Sequence, residues 1–131
     1  MEEIVKNINI AMLGTGFMGK AHTYSIKNLP FYYSDMQFKP ALHTVYAGRE
    51  EADKEFRESF EFEKYTICLD EVINEPEIDV IDICTPNCCH YETLVKYINA
   101  GKHILCEKPV VTNMDAALKS DQSDTWEDIN D

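Results

Sequence analysis

"NIAMLGTGFMGKAH" runs from Asn9 to His22 and places glycines at 14, 16 and 19, three of the five in the chain. Just before the turn, "INIAML" (8–13) is a short apolar run, which predicts a buried strand. Just after it, Phe17 to Leu29 has helix length and is expected to stop near Pro30. A G-x-G-x-x-G loop between strand and helix is the context in which such glycines hold a dinucleotide. Gly14 would permit the tight turn, Gly16 would let the backbone approach a pyrophosphate, and Gly19 would let helix and strand pack closely. The phosphates would then meet the free N–H groups and positive end of the helix. A purely structural turn is the competing reading. Thr15, Phe17 and Met18 fill the loop and join the three glycines as candidate cofactor contacts.

Outward from this turn, strand-length apolar runs alternate with helix-length segments. "PFYYSDMQFKP" (30–40) reads as a loop between prolines, and "ALHTVYAG" (41–48) as a second strand. Glu50 to Phe60 carries apolar positions at Ala52, Phe56 and Phe60, the spacing of a helix face. "YTIC" (65–68) reads as a third strand, followed by a short helix capped by Asp70 and ended by Pro76. "IDVIDICTP" (78–86) predicts a fourth strand, Cys88 to Ala100 a helix stopped at Gly101, and "KHILCEKP" (102–109) a fifth strand. A last helix begins at Thr112 or Asn113. This alternation predicts an α/β fold, a Rossmann-type doubly wound parallel sheet covered on both faces. Ligands of such sheets bind beyond the carboxyl ends of the strands, where strand order reverses.

Composition bounds the reading. With 131 residues, 44 % of them hydrophobic, the chain fits one globular core. A dinucleotide-binding domain is expected over 1–120, with an acidic tail over 121–131 that holds five acids and no Lys or Arg. No apolar run approaches the roughly 20 residues that span a bilayer, and the start lacks a secretory leader. A cytoplasmic protein with no membrane partner is therefore expected. The net charge of −12 disfavours nucleic acid. The five cysteines (68, 84, 88, 89, 106) lie mostly in apolar segments and read as reduced core thiols. A zinc site from Cys84, Cys88, Cys89 and His90 is the sharper alternative, but their spacing contains no C-x-x-C pair, and no metal is expected.

The strand ends supply the remaining candidates. Gly48 and Arg49 follow the second strand, ahead of Glu50 and Glu51. Arg49 suits the 2′-phosphate of NADP, and the glutamates keep NAD open. After the fourth strand, Thr85, Pro86, Asn87 and His90 offer small polar groups near a helix start, suited to a ribose or nicotinamide or simply to capping. After the fifth come Glu107, a further candidate contact, and Lys108. An ammonium at a strand's carboxyl end could hydrogen-bond a substrate hydroxyl and support alkoxide character as hydride leaves.

Together "GTGFMGKAH", "ICTPNCCHYE" and "AGKHILCEKPV" resemble the glucose–fructose oxidoreductase and inositol dehydrogenase family, Gfo/Idh/MocA, over residues 7 to 118. The resemblance implies that the glycine loop and the T-P-N turn contact NAD or NADP, and that Lys108 is the active-site lysine. It also implies hydride transfer between that cofactor and a carbinol carbon of a sugar, cyclitol or similar polyol. Members of the family carry a second, substrate-binding domain, and this chain is too short to hold one. The expectation is therefore a truncated cofactor domain, inactive alone, with a non-catalytic nucleotide-binding or interaction module as the alternative. No sixth strand is legible, so the fifth should expose an edge that the tail or a second copy covers, the latter giving a homo-oligomer.

Overall fold

The computed structural model describes residues 5–86 and 90–108. Its elements are β1 (Lys6–Leu13), α1 (Phe17–Tyr32), β2 (Phe38–Tyr46), α2 (Glu50–Phe60), β3 (Lys64–Tyr65), α3 (Leu69–Asn74), β4 (Val80–Ile83), α4 (His90–Asn99) and β5 (His103–Cys106). All strand pairs are parallel, in the order β3-β2-β1-β4-β5. The order reverses between β1 and β4, which opens the crevice expected of a doubly wound sheet.

Alternation along the strands builds two apolar layers. Ala11 and Leu13 of β1 and Ile81 and Ile83 of β4 join Val72, Leu94 and Tyr97 of α3 and α4 in one buried cluster. Met12 and Val45 pack on the other face with Phe56 of α2 and Phe62. The rings of Phe56 and Phe60 lie 4.5 Å apart, as their four-residue spacing on one helix face allows.

Several boundaries depart from the sequence expectation. The first helix continues through Pro30 to Tyr32. A proline this near the helix end removes one hydrogen bond without disturbing the last turn, which Tyr33 closes by donating its N–H to the Leu29 carbonyl. The second strand begins at Phe38, within the expected loop, and carries Pro40 where β3 does not reach it, since β3 pairs only with Thr44 and Val45. The register of β1 on β2 shifts between Ile10 and Ala11, leaving His43 as the extra residue of a bulge.

The third strand is only Lys64–Tyr65, so Cys68 is an exposed free thiol at the start of α3 and not a core residue. Asp70 lies in the first turn of α3 and does not cap it. The N-cap is Cys68, with no side-chain cap, and just before it the Thr66 hydroxyl accepts from the Cys68 N–H at 3.1 Å and donates to the Glu71 carboxylate. The fourth and fifth strands are shorter than expected, Val80–Ile83 and His103–Cys106. The expected helix at 112–113 and the acidic tail lie outside the described residues. Within them β5 is the outer strand on its side, and Leu105 is 54 % exposed there.

Candidate functional site

The three glycines of the β1–α1 turn occupy three different environments. Gly14 has φ +105°, and a Cβ there would stand 2.4 Å from the Cys84 carbonyl oxygen and 2.9 Å from the Thr85 nitrogen. A Cβ on Gly19 would stand 2.1 Å from the Gly14 carbonyl oxygen. At Gly16, which is exposed and caps α1, a Cβ would meet nothing within 4 Å. Gly14 and Gly19 thus remove bulk so that β1, α1 and the end of β4 can touch. Gly16 removes it where only an incoming group would meet the backbone.

Two backbone bonds fix the turn against its neighbours. Gly14 donates to the Tyr46 carbonyl at 2.7 Å, and Cys84 donates to the Leu13 carbonyl at 2.7 Å. The carboxyl ends of β2, β1 and β4 are therefore held side by side around the turn. The start of α1 carries no acidic residue and no side-chain cap, so its positive end faces the crevice unneutralised. These features fit a pyrophosphate: backbone room at Gly16, free helix N–H groups, and no competing carboxylate on the helix.

Thr15 is half-buried in the turn, Met18 is half-buried, and Phe17 is 83 % exposed. Arg49 is exposed at the tip of β2 and opens α2, with Glu50 and Glu51 exposed beside it. A groove of about 280 Å³ runs between α1 and α2 from Thr15 past Lys20 and Arg49 to Ser59. At the β4 end Thr85 is half-buried and Pro86 exposed. Asn87 lies outside the described residues, as do Cys88 and Cys89, and His90 opens α4. Glu107 continues the sheet hydrogen bonding beyond β5 by donating its N–H to the Ile83 carbonyl at 2.9 Å, and Lys108 follows it, exposed.

Two features were missed in the sequence. Asp53 of α2 is fully buried, and its Oδ2 accepts from the N–H groups of Ala47 (3.0 Å) and Arg49 (3.2 Å). It shapes the β2–α2 turn from beneath. An aspartate in a charged helix carries no local sign of this, because its partners are backbone groups four and six residues earlier.

The second feature is a charged cluster under the β4 end. His22 of α1 places Nδ1 2.9 and 3.0 Å from the two Asp82 oxygens, and Nε2 3.0 Å from Glu107 Oε2. The Cys84 thiol donates to Asp82 Oδ1 at 3.4 Å. Burial pushes the Cys84 thiol up, and the nearby Asp82 and Glu107 carboxylates push it further, so it stays protonated at neutral pH. Burial also raises the Cys106 thiol, again with help from Asp82 and Glu107. The strong β pattern of "IDVIDIC" conceals that Asp82 is buried and paired 60 residues away with a helix residue.

Comparison with known proteins agrees with this geometry. Residues 8–123 match the family described as an oxidoreductase family with an NAD-binding Rossmann fold, Gfo/Idh/MocA. The chain is 36 % identical over 106 residues to levoglucosan dehydrogenase from Pseudarthrobacter phenanthrenivorans, covering 81 % of this chain and 27 % of that protein. It is 26 % identical over 107 residues to myo-inositol 2-dehydrogenase from Thermotoga maritima, covering 82 % and 30 %. Levoglucosan dehydrogenase solved in complex with NADH and levoglucosan superposes with a TM-score of 0.78 over 81 % of this chain and 29 % of that one, at 36 % identity. An NAD-binding oxidoreductase from Klebsiella pneumoniae superposes with a TM-score of 0.79, at 32 % identity, over 89 % and 31 %. The chain spans under a third of the length of these relatives. Among the described residues no helix is long and apolar enough to cross a membrane.

Proposed function

This chain belongs to the Gfo/Idh/MocA oxidoreductase family, and from that premise we propose that it is the cofactor half of a sugar or cyclitol dehydrogenase. Its nicotinamide dinucleotide would lie across the carboxyl ends of β2, β1 and β4. The observation that carries this reading is the contrast within the turn: Gly14 and Gly19 are closed against backbone while Gly16 faces open space.

The residues then take distinct roles. The backbone from Gly14 to Gly19, with Thr15, Phe17 and Met18, holds the pyrophosphate at the mouth of α1. Arg49 meets the adenosine ribose, and Thr85, Pro86, Asn87, His90 and Glu107 border the nicotinamide side. The dinucleotide, when bound, supplies the nicotinamide ring that accepts or donates hydride. Lys108 is the catalytic residue: its ammonium donates a hydrogen bond to the substrate hydroxyl oxygen and stabilises the negative charge that develops there. The substrate is a polyol or sugar held largely by a further domain, as the relatives' greater length suggests, so this chain alone is not expected to turn it over. The free thiols of Cys84 and Cys106 suit a cytoplasmic setting.

A second cofactor reading, NADP, is favoured by Lys20 and Arg49 lining one groove, two cations that suit a 2′-phosphate. Titration with NADH and NADPH, read by nicotinamide fluorescence and by thermal stabilisation, tests both readings. Binding of either supports the cofactor role, and the tighter of the two identifies the form. Gly16→Ala should raise the dissociation constant by about tenfold while leaving the fold intact. Absence of binding to both would move the chain to an interaction module.

A further inference from the structure

We infer that His22 is a positioning residue: held as an imidazolium between Asp82 and Glu107, it ties the helix that begins at the glycine turn to the strand end that carries Lys108. The part that concerns Lys108 rests on the reading in the preceding subsection. The clamp itself does not.

The argument begins with hydrogens. A carboxylate only accepts, and both ring nitrogens of His22 face one, Nδ1 against Asp82 at 2.9 Å and Nε2 against Glu107 at 3.0 Å. A neutral imidazole has one N–H, so it would set a nitrogen lone pair against a carboxylate lone pair at one of the two contacts. The doubly protonated ring satisfies both and places a positive charge between two negative ones. Burial works against that charge, but the hydrogen bonds and charges of Asp82 and then Glu107 outweigh it and raise the His22 pKa above 6.5. The titratable groups facing the ring are Asp82 on β4, Cys84 just beyond it, and Glu107 beyond β5, with Cys106 behind. The two thiols are held protonated, so neither takes the ring's proton.

Position gives the clamp its consequence. Helix α1 packs mainly on β1 and β2, so the His22 side chain extends its reach to β4 and the end of β5. Asp82 is buried and fixed in the sheet, whereas Glu107 follows the last strand residue. The ring therefore anchors the less constrained of its two partners, and Lys108 is covalently next to that partner. Donor atoms of His22, Asp82 and Cys84 also lie within 4.8 Å of one another, a spacing a metal could use, but a metal would have to displace the Nδ1 and thiol protons.

The test uses the whole chain, labelled with ¹⁵N and carrying ¹³C-methylated lysines. Imidazole spectra should show both His22 nitrogens protonated at pH 6.5, with a titration midpoint above that value. Asp82→Asn and Glu107→Gln should each raise the ring's acid constant by about tenfold. The Lys108 methyl signal should inflect at the His22 midpoint, and that inflection should vanish in Glu107→Gln, a change at a partly exposed site that spares the core. A single protonated nitrogen at pH 6.5 would overturn the clamp. A titrating ring with a Lys108 signal that ignores it would overturn the positioning role and leave only a structural one. Loss of the Nδ1 proton on adding stoichiometric zinc(II) would replace the clamp with a metal site. None of these measurements uses a dinucleotide, so a failed NADH titration would remove the function proposed above, and with it the meaning of the Lys108 contact for catalysis, and leave the clamp standing.

Discussion

On one side of the sheet β4 sends Ile81 and Ile83 into a layer with Val72, Leu94 and Tyr97; on the other it sends Asp82 up to His22 of α1. All three strand residues are essentially inaccessible to water. They are buried for opposite reasons. The isoleucines are stabilised by area removed from water, which is non-directional and tolerates repacking. Asp82 is tolerated only because named donors meet its oxygens, and moving any of them leaves a carboxylate buried without compensation. The face of β4 toward α3 and α4 is therefore held by apolar packing. The face toward α1 holds the glycine turn, the charged cluster and the strand ends in one arrangement.

The largest expected effect comes from the apolar face. Ile83→Ala removes a fully buried side chain between Leu13 and α4 and should destabilise the chain by about 2–5 kcal/mol, read from chemical denaturation. Its effect on cofactor affinity, corrected for the unfolded fraction, should be small. A large intrinsic loss of affinity would mean that the two faces are not separable.

A smaller effect should follow on the charged face. Asp82→Asn keeps the shape and an acceptor for Nδ1 but removes the charge, turning a charge-assisted bond into an ordinary one, at a cost of about 1 kcal/mol. The comparison is sharpened if the same variant weakens NADH binding more than Ile83→Ala does, measured at equal fractions folded. Were Asp82→Asn to cost as much stability as the isoleucine, the cluster would be part of the structural core and the division of labour would fail.

These two faces also differ in how far the sequence disclosed them. The elements of the apolar layer were legible because strand-length apolar runs alternate with helix-length segments, and "INIAML" and "IDVIDIC" carried that pattern. The tight turn at Gly14 and the close packing at Gly19 were legible because the absence of a side chain has few explanations between a strand and a helix. The cluster was not. Asp82 reads as the polar interruption of a strand, and its partners lie 60 residues away in His22 and beyond β5 in Glu107. Asp53 was hidden in the same way, since a buried acceptor of backbone N–H groups looks like any acidic residue on a charged helix. The bulge at His43 left no trace either, because strand propensity does not report register. Local chemistry announces itself in a sequence, while long-range polar pairing is set by the fold.

The smallest expected effect separates the faces by pH. Burial disfavours the charged His22 ring, but Asp82 and Glu107 raise its folded-state pKa above the 6.5 of an unstructured histidine. The folded chain thus binds this proton more tightly than the unfolded chain does, and the resulting stability is complete below pH 6.5. It fades as pH rises through the folded-state value, and above that value it is gone. The ring is partly open to solvent, so screening reduces the effect below that of Asp82→Asn. The check is a series of denaturation midpoints across this interval for the natural chain, for His22→Gln and for Ile83→Ala. Ile83→Ala should keep the slope at a lower overall stability, because the side chain it removes carries no titratable group. His22→Gln should flatten the decline, since glutamine exchanges no proton. A slope that survives in His22→Gln would assign the titration to another group and dissolve the electrostatic half of the contrast.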